Sequence, residues 1–343
     1  MRKEFLRNTL YEIGIRSVLI LEEDGLLLLI NNYEGEVNFN ESLLISSFLS
    51  AISTFSQSIL VSFISDIGIA GDQSSKRLFF KYQSGIIYVI TFDEQYLTRT
   101  NYQRVREFIE ETIWHLASEF IGFYQQTKKE YQRFEWQNKI EEFSPKIDQL
   151  LLKGIKDYLE TRDHMNFDNK KRINSFGKDI INTSNIFDEF GIQALYIVNE
   201  KGEAIVSRIY NENNPLAAEG SIIAGFFQAI KSFTEQSVFK NQQNIQMTDI
   251  GMFTNRIQFN YRRKYIFAII IDNVKLLDLS TDFFRKLIDS IIKSSMEAFL
   301  ILLDTIGDKK NKETCSTDFC QIIDYLVFET CQEYLNFFVQ DTW

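Results

Sequence analysis

Few residues of this chain combine a reactive type with the spacing that chemistry requires. Of its two histidines, His115 sits in Trp114-His115-Leu116 and His164 in a polar stretch, with no Cys, His or carboxylate at a metal-binding interval such as H-E-x-x-H. Both read as structural. Cys315 and Cys320 are five residues apart, and Cys331 lies eleven beyond Cys320. That is neither C-x-x-C nor a zinc pattern, so these read as packing thiols, the last two on one helix face. Gly68-Ile69-Ala70-Gly71-Asp72 lacks the lysine of a phosphate loop, and no G-x-G-x-x-G follows a strand, so it reads as a turn. Asp93 and Asp272 hold matched positions, as do Asp66 and Asp249, and paired carboxylates could do acid–base work. They fall in different halves of the chain, so solvation at a strand end or helix capping explains all four more cheaply. No catalytic residue, cofactor site or metal site is expected, and the chain reads as a non-enzyme.

Two features could bind a partner. Arg262-Arg263-Lys264, with Arg256 nearby, is a small basic spot in an acidic protein, suited to an acidic surface or a phosphate; the alternative is a solvated hairpin turn. Tyr131, Phe134 and Trp136 continue a helical pattern past the point where a domain core needs it. Such aromatics could anchor a partner, or pack on a neighbouring element of the same chain.

The totals narrow the class. With 37 basic against 47 acidic residues the net charge is −10, which disfavours a nucleic-acid or anionic-membrane binder, although a local basic patch is still allowed. At 343 residues the chain fits two domains with connecting helices, and its 31 Phe and 15 Tyr supply apolar surface for two cores. Three cysteines near one end do not make a disulfide framework and suit a reducing cytosol. The N-terminus has no apolar signal-peptide core, and no run reaches eighteen apolar residues. A cytoplasmic protein without a membrane span is the expectation.

The elements that would position these residues come twice. Leu78–Asp93 reads LFFKYQSGIIYVITFD, and Ile257–Asp272, shifted by 179, reads IQFNYRRKYIFAIIID. Each is a strand ending Phe-x-Tyr, a tight polar turn and a strand apolar almost throughout, as a strand buried on both faces should be. GIRSVLILEEDG from Gly14 is matched by GIQALYIVNEKG from Gly191, each a hairpin with a turn pair such as Asp24-Gly25. The helix carrying Ile45, Phe48, Ile52 and Phe55 is matched by that carrying Ile223, Phe226, Ile230 and Phe233. Ile59–Ile69 reads as a strand. Long helices are expected from Tyr102 and over Thr281–Ile306, a helix begins at Ser144-Pro145, and a last one runs over about Thr317–Phe338. That last helix has no counterpart in the first copy unless Ser144–Glu160 plays the part. Two copies make a tandem pair and not a solenoid.

Each copy therefore reads helix, hairpin, helix, three strands, long helix. That order, with the Asp-Gly or Lys-Gly turn of the first hairpin, resembles the roadblock/longin superfamily of profilin-like α/β modules over roughly 1–125 and 180–307. The resemblance implies an α+β fold of two tandem domains, each a five-stranded antiparallel sheet packed with helices, plus long connecting and C-terminal helices. The expected divisions are domain 1 over 1–140, a helical linker over 141–178, domain 2 over 179–308 and a C-terminal helix over 309–343. The short leading helix matches the roadblock order, and the long closing helices match longin. What the resemblance implies in function is a non-enzymatic scaffold or regulator with a protein partner of the small Ras-like GTPase or trafficking class. It also implies a homo- or hetero-dimer, or pairing of the two copies, to satisfy open sheet edges. It carries over no site residue. The rival is a small-ligand sensor of PAS-, GAF- or cache-like fold.

Overall fold

A computed structural model of the protein describes residues 8–34, 39–59, 62–71, 75–96, 102–130, 138–161, 186–211, 220–236, 246–278, 281–306 and 312–340. Residues 8–12 are helical, and Gly14 follows in a left-handed conformation, φ +101°. Next come β1 (Ile15–Glu22), β2 (Leu27–Asn32), α1 (Phe39–Ile59), β3 (Ile64–Ala70), β4 (Ser75–Gln83), β5 (Ile86–Asp93), a 3₁₀ turn (Glu94–Tyr96), α2 (Tyr102–Glu130) and α3 (Ser144–Thr161). The later part holds α4 (Ile186–Glu189), β6 (Ile192–Asn199), β7 (Ala204–Ile209), α5 (Gly220–Gln236) and β8 (Gln246–Met252). It continues through β9 (Asn255–Arg262), β10 (Tyr265–Asp272), α6 (Asn273–Asp278), α7 (Thr281–Ile306) and α8 (Lys312–Gln340). The architecture is mixed α/β, with antiparallel sheet and helices.

The chain divides into two compact units: Met1–Asn166 with Phe233–Met247, and Phe167–Ser232 with Thr248–Trp343. In the first, the strands lie in the order β2-β1-β5-β4-β3. Their central hairpin sets Gln83 opposite Ile86, which leaves Ser84-Gly85 as the loop; φ of +55° and +75° at these residues gives the twist a two-residue loop needs. In the second unit the order is β8-β9-β10-β6-β7, Arg262 faces Tyr265, and Arg263 takes φ +53°. Strands β5 and β10 are buried on both faces over Ile86–Ile90 and Ile266–Ile271, as their unbroken apolar runs require.

The frame around each central strand follows one plan. The Asp93 amide donates to the Gly14 carbonyl and the Asp272 amide to the Gly191 carbonyl, both at 2.8 Å. Likewise Tyr33 N–H meets Arg16 O and Tyr210 N–H meets Gln193 O, again at 2.8 Å. Within the cores, Tyr88 of β5 stands edge-on to Phe120 of α2, ring centroids 6.0 Å apart, and Phe267 of β10 stands edge-on to Phe299 of α7 at 5.8 Å. The amphipathic stripes of α2 and α7 make these contacts by burying residues at helical spacing.

A second helix completes each core. Phe143, Ile147 and Leu151, at and just before α3 and along it, bury in the first unit. Phe319, Ile323 and Val327 of α8, each 176 positions later, bury in the second. The role left open for Ser144–Glu160 is thus filled: α3 packs in the first unit as α8 packs in the second.

One expected element is placed differently. The apolar run Ile59–Ile69 is not one strand, because α1 extends to Ile59 and β3 begins only at Ile64. A short apolar run does not by itself tell helix from strand. Among the described residues, no helix is long and apolar enough to cross a membrane.

Candidate functional site

The charged groups of the sheets are tied into the fold. Asp66 lies inside β3, fully buried, and pairs with Arg77 of β4, which stands opposite Gly68 in the register. Ser65 Oγ donates to the other Asp66 oxygen at 2.9 Å, and Arg77 also reaches Glu94 Oε1 at 2.7 Å. The second unit repeats the arrangement: Asp249 of β8 pairs with Arg256 of β9, Arg256 stands opposite Gly251, and Thr248 Oγ1 donates to Asp249 at 3.0 Å. These aspartates are therefore neither solvated strand ends nor helix caps. Each neutralises an arginine within the sheet, and in both units that arginine stands opposite the glycine two residues beyond the aspartate. The available signal was the repeated Asp-Ile-Gly together with an arginine inside an apolar strand.

Asp93 and Asp272 follow the capping expectation in part. Asp272 Oδ1 accepts the Val274 amide at 2.8 Å and so caps α6. Asp93 Oδ1 accepts the Gln95 amide at 3.1 Å, and its other oxygen receives Arg16 Nη2 at 2.6 Å in a buried ion pair. Arg16 further donates to the Tyr11 carbonyl at 2.7 Å and lies over the Tyr11 ring. Gln193 holds the equivalent position in the second unit, where it accepts from Asn211 at 2.7 Å. The Arg16–Asp93 pair leaves no mark in the sequence because its partners are 77 residues apart and the second copy has Gln193 in place of the arginine.

Two aspartates lock the second helices to their sheets. Asp148 of α3, 2% exposed, accepts from the Tyr33 hydroxyl at 2.7 Å and from Asn31 Nδ2 at 3.0 Å. Asp324 of α8 accepts from the Tyr210 hydroxyl at 3.1 Å and from Arg208 Nε at 2.9 Å. Burial first, then the charge of Asp324, pushes the Tyr210 phenol up from its ordinary value. The sequence signal for this match was the pair Phe143/Phe319 and Asp148/Asp324 at one common shift of 176.

The basic spot lies on an exposed turn. Arg262, Arg263 and Lys264 form the exposed β9–β10 tip, and Arg263 donates to Asp304 of α7 at 3.0 and 3.4 Å. That hydrogen bond and charge raise Arg263 and hold Asp304 below the usual carboxylate value. Arg256 does not join the tip, being turned to Asp249. Tyr131, Phe134 and Trp136 lie outside the described residues.

The remaining candidates are placed as follows. His115 is exposed on α2, 3.8 Å from Glu111 one turn before it, and His164 lies outside the described residues. Cys331 is buried in the second core, where burial pushes its thiol up to about 12; Cys320 is half-buried. Among the described residues, no three His, Cys, Asp or Glu side chains group as metal ligands.

No family model and no curated protein matches the chain. Among solved structures it is similar to a roadblock/LC7 domain from Streptomyces avermitilis, at 14% identity over 26% of this chain and 77% of that one, with a TM-score of 0.20. It is similar to the gliding protein MglB from Thermus thermophilus, at 16% identity over 27% and 71% of the two chains and a TM-score of 0.21. A structure of MglB with a tetrameric arrangement matches at 16% identity over the same shares, with a TM-score of 0.22.

Proposed function

We propose that the chain is a tandem pair of roadblock/longin-like domains that acts as a non-enzymatic interaction module, scaffolding or regulating a protein partner of the small Ras-like GTPase class. The reading rests on the repeated element order, and above all on the repeated frame: Gly14 with Asp93, Gly191 with Asp272, and a Tyr–Asp lock closing each unit. In this reading each copy ends with its docked helix, so the repeat is longer than one five-stranded sheet with its first closing helix. The buried aspartates Asp66, Asp93, Asp148 and Asp249 hold strands and helices together. The mechanism is presentation of a surface that binds one nucleotide state of the partner more tightly and so shifts its equilibrium.

Affinity capture of the tagged full chain from its native lysate tests this. Bound proteins and any small molecules released on denaturation are identified by mass spectrometry. A Ras-like GTPase enriched over a tag-only control supports the module; a stoichiometric metabolite with no protein partner replaces it with a ligand sensor.

A further inference from the structure

Helices α3 and α8 bury equivalent residues, and their outward faces differ. Stepping 176 positions from α3 to α8 takes the exposed Lys146 to Ile322, Gln149 to Tyr325 and the half-buried Leu152 to Phe328. In α8 these side chains are 42%, 61% and 37% exposed. The same docking is thus achieved in α3 with lysine and glutamine at two of the three positions, so the fold does not require apolar residues at those two. Three large apolar side chains within about two turns, roughly 9 Å of helix, are a surface kept for another occupant.

Charge selects among occupants. Over its 29 residues α8 carries one lysine, Lys312 at its start, against five acids: Glu313, Asp318, Asp324, Glu329 and Glu333. Asp324 is spent on Arg208, whereas Glu329 and Glu333 lie beside and beyond the apolar stripe. Two copies packed α8 to α8 would bring acidic rims together, and an anionic lipid surface would be repelled in the same way. A helix with apolar residues at i, i+3 or i+4 and i+7, flanked by Lys or Arg, matches both the stripe and the rim. We propose that the Ile322–Tyr325–Phe328 face of α8 is a docking site for a basic amphipathic helix of a partner protein. This proposal stands apart from the GTPase reading.

The test uses the full chain and two designed, labelled helical peptides of about five turns with the same Leu/Phe stripe, one rimmed by lysine and one by glutamate, followed by fluorescence anisotropy. The lysine peptide should bind at least about tenfold more tightly than the glutamate peptide. Ile322→Ser with Tyr325→Ser should abolish the binding with the thermal melt unchanged. If that variant fails to fold, Glu329→Lys with Glu333→Lys carries the test and should reverse the preference between the peptides. Equal binding of both peptides, binding that survives these variants, or a dimer seen by sedimentation that the serine variant dissolves would each overturn the proposal.

Discussion

Replacing Tyr33 by phenylalanine removes one hydroxyl from the lock between β2 and α3. That hydroxyl donates at 2.7 Å to Asp148, which is 2% exposed. A hydrogen bond to a buried charge contributes about 1.5–3 kcal/mol, and Asn31 Nδ2 remains at 3.0 Å to hold the carboxylate. The expected loss is therefore at the low end, about 1.5–2 kcal/mol. Asp148→Leu removes the acceptor instead, and the double variant should recover about 1–2 kcal/mol of the summed single effects. A chain with two compact units need not unfold in one step, so the effect is best read locally by amide hydrogen exchange. In Tyr33→Phe the α3 amides should exchange about tenfold faster, since 1.4 kcal/mol is a factor of ten. Unchanged exchange in α3, or single effects that simply add, would refute the lock.

Further outcomes follow from single positions. Tyr88 is fully buried and, among the described residues, its hydroxyl has no hydrogen-bond partner; the equivalent residue of the second unit is Phe267. Tyr88→Phe should therefore stabilise the first unit by about 1 kcal/mol, read as a higher urea midpoint, and a loss of stability would show a hidden partner. Gly14→Ala places a side chain at φ +101° with its Cβ 3.0 Å from the Phe92 and Tyr96 rings. It should cost about 2 kcal/mol in the same titration. Burial raises the Cys331 thiol from 9.0 to about 12, so between those values the unfolded chain holds fewer protons and stability falls as pH rises. Cys331→Ala should flatten that fall, and in the native protein at pH 8 iodoacetamide should label Cys320 well before Cys331.

Much of this architecture is legible in the amino-acid sequence, for reasons tied to particular residues. The central hairpins stand out because strands buried on both faces must be apolar throughout, and the Asp24-Gly25 turn because Gly25 takes φ +92° beside an Asp24 side chain that accepts the Leu26 amide. The ion pairs are harder to see. Asp66 and Arg77 are eleven residues apart, whereas Asp249 and Arg256 are seven apart, because the turns between their strands differ in length. No fixed spacing reveals a contact set by strand register. The lock helices hide for a similar reason: α3 and α8 match at a shift of 176 and the central hairpins at 179, so the repeat loses phase before it reaches them. Arg256 misleads because a charge near a basic turn looks like part of it, although six positions of β9, roughly 20 Å of strand, separate it from Arg262 and it pairs with Asp249.

The most direct test of the proposed function is capture by the tagged full chain from two portions of one native lysate, one loaded with GDP and the other with a non-hydrolysable GTP analogue. The account predicts a small Ras-like GTPase enriched over control, in unequal amounts between the two arms. A GTPase absent from both, with a small molecule recovered in equimolar amount from the denatured protein, would contradict it.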